Sequence, residues 1–290
     1  MGKTFGSLQA FLGEGRDLLA KGPVGLVLAE DAVEIASTLR HHLDSGFRAL
    51  VLFASPDLAL PALPDAGVHV VRCEAAGDER LEQIVNGCIA AAPAGTWLYY
   101  CYNAEYLFYP FCEHRSVGEM LQFVTEERRD SVLTYVVDLY AGDLDRHPAA
   151  VALEDAWLDR AGYYALARSG NGGPSPERQL DFFGGLRWRF EEHIPAPKRR
   201  IDRVSLFRTA PGLRIRANHT FNVAEYNTYA CPWHHSLTAA ICSFRTAKAL
   251  KRNPGSTYDI HSFRWHNSTP FEWHSRQLLD LGLMEPGQWF

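Results

Sequence analysis

The sequence predicts an α/β fold: a mostly parallel central sheet flanked by helices, with an elaborated C-terminal half. Three observations carry this. Short, nearly continuous apolar runs at residues 24–28, 49–53, 68–72 and 97–102 have the length and composition of strands buried on both faces. Segments with apolar residues at helical spacing lie between them. Beyond residue 142 the pattern changes, and Gly, Pro and acidic residues interrupt it. Strands that alternate with helices imply right-handed crossovers and hence parallel pairing.

Along the chain, residues 1–22 place Phe5, Leu8, Phe11, Leu12, Leu18 and Leu19 at helical spacing and predict an N-terminal helix. The main domain, residues 23–255, opens with the strand at 24–28. Residues 31–43 set Val33, Ile35, Ala36, Leu39 and Leu43 on a helical face, which Gly46 closes as a C-terminal cap. The strand at 49–53, the loop Ser55-Pro56-Asp57 and the strand at 68–72 follow. A helix at 81–91 stops before Pro93 and leads to the strand at 97–102. Residues 116–127 predict a helix and 132–140 a strong strand. Residues 143–175 read as a long surface excursion, with Gly170, Asn171, Gly172 and Gly173 in its most flexible part. Phe182-Phe183-Gly184-Gly185 precedes an expected strand or hairpin at 186–190, with further strands at 203–207 and 213–216. A helix at 237–250 is expected to stop near Asn253-Pro254-Gly255. Residues 256–290 form a last helix, at 271–281, and a tail packing on the domain.

Composition narrows the function classes. The 290 residues are 47% hydrophobic and 22% charged with a net charge of -5, ordinary for a globular protein and no reason to expect nucleic acid or an anionic membrane as partner. No window approaches the roughly 18 apolar residues of a membrane helix, and the N-terminal residues lack the apolar core of a signal peptide. Cys73, Cys88, Cys101, Cys112, Cys231 and Cys242 form no C-x-x-C pair. They read as free thiols in a reducing cytoplasm, not as a structural zinc site.

The segment WLYYCYNAEYLFYPFCEHRS, residues 97–116, carries the most information: a buried strand, a polar junction, then the Tyr109-Pro110 turn. In open α/β folds the carboxyl end of such a strand is where ligands bind. Glu105, Leu107, Tyr109, Pro110 and Cys112 fit a pattern of the form Asp-x-Asp-Glu, two apolar residues, one further residue, then Tyr-Pro. On these residues the segment resembles the metal-binding strand end of family 2 glycosyltransferases. His41, His42, Gly46 and Phe47 match a second part of that family's pattern, and Gly184, Gly185, Arg187, Arg189 and Phe190 a third. The departures fall on the ligands: Tyr102 and Ala104 occupy the two Asp positions, Ala54-Ser55 an Asp-Asn position, Thr38 the place of a Trp, and Ser243 the place of a His.

The resemblance covers residues from about Val24 to Leu250 and implies a GT-A-like fold. It implies transfer of a sugar from a nucleotide-sugar donor to a glycan or polysaccharide acceptor of bacterial cell-surface metabolism, with a degraded metal and nucleotide site. The alternative expectation is a non-catalytic structural or interaction protein that retains the fold, with a protein partner. No metal ligand set is assigned. Mn or Mg would need ligands other than paired carboxylates, because a phenol that ionises near pH ~10 and a methyl group cannot replace them.

The candidate site residues follow. Glu105 is read either as a group meeting a sugar hydroxyl or a displaced metal, or as the ion-pair partner of an Arg such as Arg115. Asp138, an acid inside the apolar run Val136-Val137-Asp138-Leu139-Tyr140, is read either as a general base or as a hydrogen-bonded structural residue. Tyr102, Asn103, Arg187 and His219 are the expected donor-binding residues, with Tyr106 bordering them. Lys198, Arg199 and Arg200, with Arg187, Arg189, Arg203 and Arg208, either grip phosphate in place of a metal or form a solvated basic edge balanced by Glu191 and Glu192. Cys231, His234, His235 and His219 either assemble around a metal or make ordinary hydrogen bonds.

Overall fold

The computed structural model describes residues 2–64, 66–169, 174–230 and 235–289. In chain order its elements are β1 Thr4–Phe5, α1 Leu8–Glu14, α2 Arg16–Leu19, β2 Val24–Ala29, α3 Ile35–Asp44, β3 Ala49–Ala54, β4 Val68–Arg72, α4 Asp78–Ala91, β5 Trp97–Tyr102 and β6 Glu105–Phe108. They continue with α5 Val117–Glu126, β7 Ser131–Ala141, β8 Ala156–Asp159, β9 Tyr164–Ala167, β10 Leu180–Phe183, α6 Leu186–Arg189, β11 Asp202–Arg208, β12 Ala239–Ser243, α7 Arg245–Arg252, β13 Ser268–Pro270 and α8 Ser275–Asp280. The fold is α/β, built on a large, mixed, mostly parallel central sheet flanked by helices. Among the described residues no helix is long and apolar enough to cross a membrane.

The chain divides into two compact units. The first comprises Met1–Tyr106, His114–Leu133 and Val204–Asn227, and the second Leu107–Glu113, Thr134–Arg203 and Thr228–Phe290. In the first unit the strands run β1-β4-β3-β2-β5-β11, all parallel except β11, which pairs antiparallel with β5 through Leu206 opposite Tyr99. Every residue of β2 and β3 is buried, which is why these strands read as unbroken apolar runs. β5 lies between β2 and β11, so it is an interior strand, as its composition predicts. Phe11 of α1 fits edge-on between Phe5 and Phe53. Gly87 lets α4 approach α1, since a Cβ there would lie 2.8 Å from Leu12. Ser116 caps α5 and Glu119 returns the bond, a complete capping box.

In the second unit β7 and β12 pair in parallel, with Ser243 beside Asp138 at the carboxyl end of β12. β8 pairs antiparallel with β7 and with β13, and β9 with β10 forms a separate hairpin. Tyr140, Leu186, Ala247, Leu250, Ile260 and Phe263 centre a core over this end.

Six expectations need correction. Residues 237–250 are not one helix: 239–243 form β12 and a helix begins only at Arg245. Ala and Cys fit either periodicity, and burial beside β7 selects the strand. Residues 186–190 form a helical turn instead of a strand, entered through Gly184 and Gly185 at φ of 154° and 62°. Residues 213–216 contribute only the single bridge of Ile215 to Phe221. The N-terminal helix is split at Gly15 and preceded by β1, and the last helix shortens to α8, with Trp273 in a left-handed conformation ahead of it. The excursion at 143–175 is not wholly superficial, because it delivers β8, whose Leu158 and Asp159 are buried.

His42 illustrates how this core tolerates a titratable group. Its Nδ1 lies 2.7 Å from the Thr38 carbonyl oxygen and its Nε2 3.2 Å from the Tyr99 hydroxyl. Burial, reinforced by His41, lowers its pKa from 6.5 to about 3 against opposing contributions from the Thr38 carbonyl and Glu105. The folded protein therefore refuses a proton that the unfolded chain takes up below pH 6.5. Its contribution to stability is complete above that value and declines as pH falls through the window down to about 3. Substituting His42→Gln is expected to flatten the acid limb of the stability–pH curve by up to about 1.4 kcal/mol per pH unit. Urea unfolding of both proteins across this window checks it; parallel curves would show that His42 is not responsible.

Candidate functional site

The sequence-predicted residues fall into three groups. In the first unit β5 ends at Tyr102, and the chain turns through Asn103 and Ala104 into β6. Asn103 is fully buried and ties this turn to the loop after β2. Its Oδ1 accepts the Glu30 N–H at 2.9 Å, and its Nδ2 donates to Asp31 Oδ1 at 2.6 Å and to the Val33 carbonyl at 2.8 Å. Ala104 takes a left-handed conformation, φ 59°, and its N–H donates to Thr38 Oγ1 at 2.9 Å. Thr38 thus serves the turn from the position where the family pattern has Trp. Glu105 is fully buried, and its Oε2 accepts the Tyr102 N–H at 2.9 Å. Tyr106 meets Ser37 at 2.9 Å, and burial raises its phenol's pKa.

The order β4-β3-β2-β5 reverses direction between β2 and β5, the kind of switch point where open α/β sheets bind ligands beyond their carboxyl ends. Asn103 sits at this point. The side chains there do not fit a hard divalent cation. Tyr102 and Ala104 bring no carboxylate, and the buried Glu105 carboxylate already serves a backbone N–H. Among the described residues no cluster of three or more His, Cys, Asp or Glu could hold a metal ion.

The second group is His219, also in the first unit. Its ring stacks on Tyr100 with centroids 5.9 Å apart and planes 10° from parallel, and its Nδ1 lies 3.0 Å from the Tyr100 hydroxyl. Cys231 and His234 of the suggested metal set lie outside the described residues, as do residues 170–173 of the flexible segment.

The third group, in the second unit, joins Asp138 and Arg187. Asp138 lies on β7, and Gly185 permits the approach of α6, because a Cβ there would lie 3.0 Å from Asp138 Oδ2. The Arg187 N–H donates to Oδ2 at 3.4 Å, and Arg187 Nε stands 3.6 Å from Oδ1. That guanidinium also donates to Thr246 Oγ1 at 3.2 Å and to the Arg200 carbonyl at 2.6 Å. Asp138 Oδ1 is buried and accepts no hydrogen bond. Burial raises the Asp138 pKa, and the nearby Asp159 adds to the rise, while Arg187 and Thr246 oppose it.

Asp159, Tyr140 and Arg189 complete this centre; of the three, only Arg189 is among the cations that the sequence suggests as a phosphate grip. Asp159 accepts from Tyr140 at 2.5 Å, from Trp265 Nε1 at 2.8 Å and from Arg189 Nη1 at 3.1 and 3.2 Å. A signal was present: Asp159 ends the short run Ala156-Trp157-Leu158, an acid after apolar residues like Asp138. The basic run resolves differently from a phosphate grip. Arg200 binds Asp202 and Asp181, and Arg168 shares both carboxylates, whereas the more exposed Arg199 pairs with Glu191.

No protein-family model matches the chain, and no curated protein matches it in sequence.

Removing the Asn103 side chain strands the Glu30 N–H and the Val33 carbonyl in a buried turn. Asn103→Ala is expected to cost about 2–4 kcal/mol, measured by urea denaturation. A loss below about 0.5 kcal/mol would mean that the turn holds its shape without this side chain.

Proposed function

We propose that the chain is a glycosyltransferase-like protein with a GT-A-like fold that transfers a sugar from a nucleotide-sugar to a hydroxyl acceptor without a metal held at Tyr102 and Ala104. The observation that carries the reading is Asp138: a buried carboxyl at the carboxyl end of a parallel strand pair, with one oxygen accepting no hydrogen bond and a raised proton affinity. A raised carboxyl suits a general base working near neutral pH. In this reading the acceptor oxygen forms its bond to the anomeric carbon as its proton passes to Asp138. The bond from that carbon to the diphosphate oxygen breaks, and its electron pair leaves with the diphosphate. Arg187, engaged with Asp138, Thr246 and Arg200, positions the base and is not the principal phosphate ligand.

A second reading, a non-catalytic protein that retains the fold, is favoured by one observation. The polar groups of the turn at Asn103 and Glu105 are already bonded within the protein.

Calorimetric titration with a panel of nucleoside diphosphates and nucleotide-sugars, with and without manganese, separates the two. Binding that is independent of manganese supports the transferase reading. Asp138→Asn is then expected to lower turnover by about 10²–10⁴-fold while leaving nucleotide affinity within a few-fold. Absence of binding at millimolar ligand overturns the transferase reading and leaves the non-catalytic one.

A further inference from the structure

We infer that Asp159 is a positioning residue for Asp138: tied to three donors of its own, it makes Asp138 the proton-accepting member of a pair of buried carboxyls. This rests on the reading of Asp138 as the base and adds the group that sets its behaviour. β7 and β8 run antiparallel with Leu139 opposite Leu158 and Tyr140 opposite Trp157. Continuing that register by one residue sets Asp138 opposite Asp159. Directly opposed residues lie close enough for their side chains to interact.

The two carboxyls are supplied unequally. Asp159 has three donors, the guanidinium of Arg189, the Tyr140 hydroxyl and the Trp265 indole. The Arg189 guanidinium is itself held over the Trp265 ring, 4.7 Å from its centroid. Asp138 has one backbone N–H at 3.4 Å, the Thr246 side chain and a guanidinium beyond hydrogen-bond length, and its Oδ1 accepts nothing. The groups facing Asp138 are Arg187 from α6, Thr246 from α7, Asp159 from β8, and Tyr163, whose phenol is raised by burial and by both carboxylates. Tyr140, on its own strand, donates to Asp159 and to nothing on Asp138. Two neighbouring carboxylates do not share charge evenly. The one with more donors keeps the anion, and the other becomes easier to protonate. Asp159 is the better supplied of the two.

The test reads the Asp138 carboxyl directly, by carbon-13 NMR titration of aspartate-labelled protein without nucleotide. The Asp138 signal is assigned by its loss in Asp138→Asn. Asp159→Asn removes the neighbouring anion and is expected to lower the Asp138 midpoint by about one pH unit or more. Arg189→Met takes a donor from Asp159, evens the supply between the two carboxyls and is expected to lower the Asp138 midpoint, whereas Arg189→Lys keeps the wild-type midpoint. Tyr140→Phe, nearly isosteric, removes one donor from Asp159 and is expected to shift Asp138 downward, by less than Arg189→Met. Because it preserves packing, it decides the matter if the charge variants do not fold. An unmoved Asp138 midpoint in folded Asp159→Asn, Arg189→Met and Tyr140→Phe, or an upward shift in Arg189→Met or Tyr140→Phe, overturns the proposal. A purely structural Asp159 would change the unfolding midpoint alone. Failure of nucleotide binding would remove the transferase reading without touching this result.

Discussion

A carboxylate taken out of water must be met by donors, and that constraint governs the interior polar groups of both units. Glu105 is met by a backbone N–H, Asp159 by three side chains, and Asp202 by the guanidiniums of Arg168 and Arg200. Each solution fixes a piece of backbone. The Glu105 bond shapes the turn after β5, Asp159 gathers β7, α6 and the segment around Trp265, and Asp202 holds the β9–β10 hairpin through Arg168. Isolated burial of a charge costs far more than any one of these contacts returns. The donors therefore had to be specified together with the acids. Asp138 meets the constraint least completely, since its Oδ1 accepts no hydrogen bond.

The parallel strands were legible because burial on both faces leaves a strong compositional trace. Val24, Leu26, Val27 and Leu28, or Leu50 through Phe53, leave no room for another assignment. The strand at 239–243 was hidden by residues that suit either periodicity, and its identity comes from β7, a partner about a hundred residues away in the chain. Asp138 stood out as an acid in an apolar strand. Asp159 did not, because it lies among the Gly- and Pro-rich residues of a segment that reads as surface. The contact between Asp138 and Arg187 spans 49 residues and depends on two consecutive glycines, Gly184 and Gly185. Composition marks such glycines as a turn but does not say what the turn brings together.

The resemblance to family 2 glycosyltransferases pointed to the strand end at Tyr102–Glu105, and the same residues now have structural duties. Asn103 performs at the switch point what a bound ligand's polar groups do elsewhere: it satisfies loop N–H and carbonyl groups that would otherwise face inward. Thr38 and Ala104 extend that arrangement. The side chains of Asn103 and Glu105 thus find their partners within the protein.

The ties between Arg168 and Asp181 and Asp202 have a consequence for the hairpin they hold. Tyr164–Ala167 are exposed along their whole length, which in an isolated two-stranded ribbon means fraying on a fast timescale. Here Arg168, immediately after that strand, is clamped into a nearly dry ionic lattice shared with Asp202 at the start of β11. Opening the hairpin therefore means separating buried charges, an event of the same order as unfolding the lattice itself. Solvent accessibility and slow amide exchange, ordinarily opposed, are expected together in this segment.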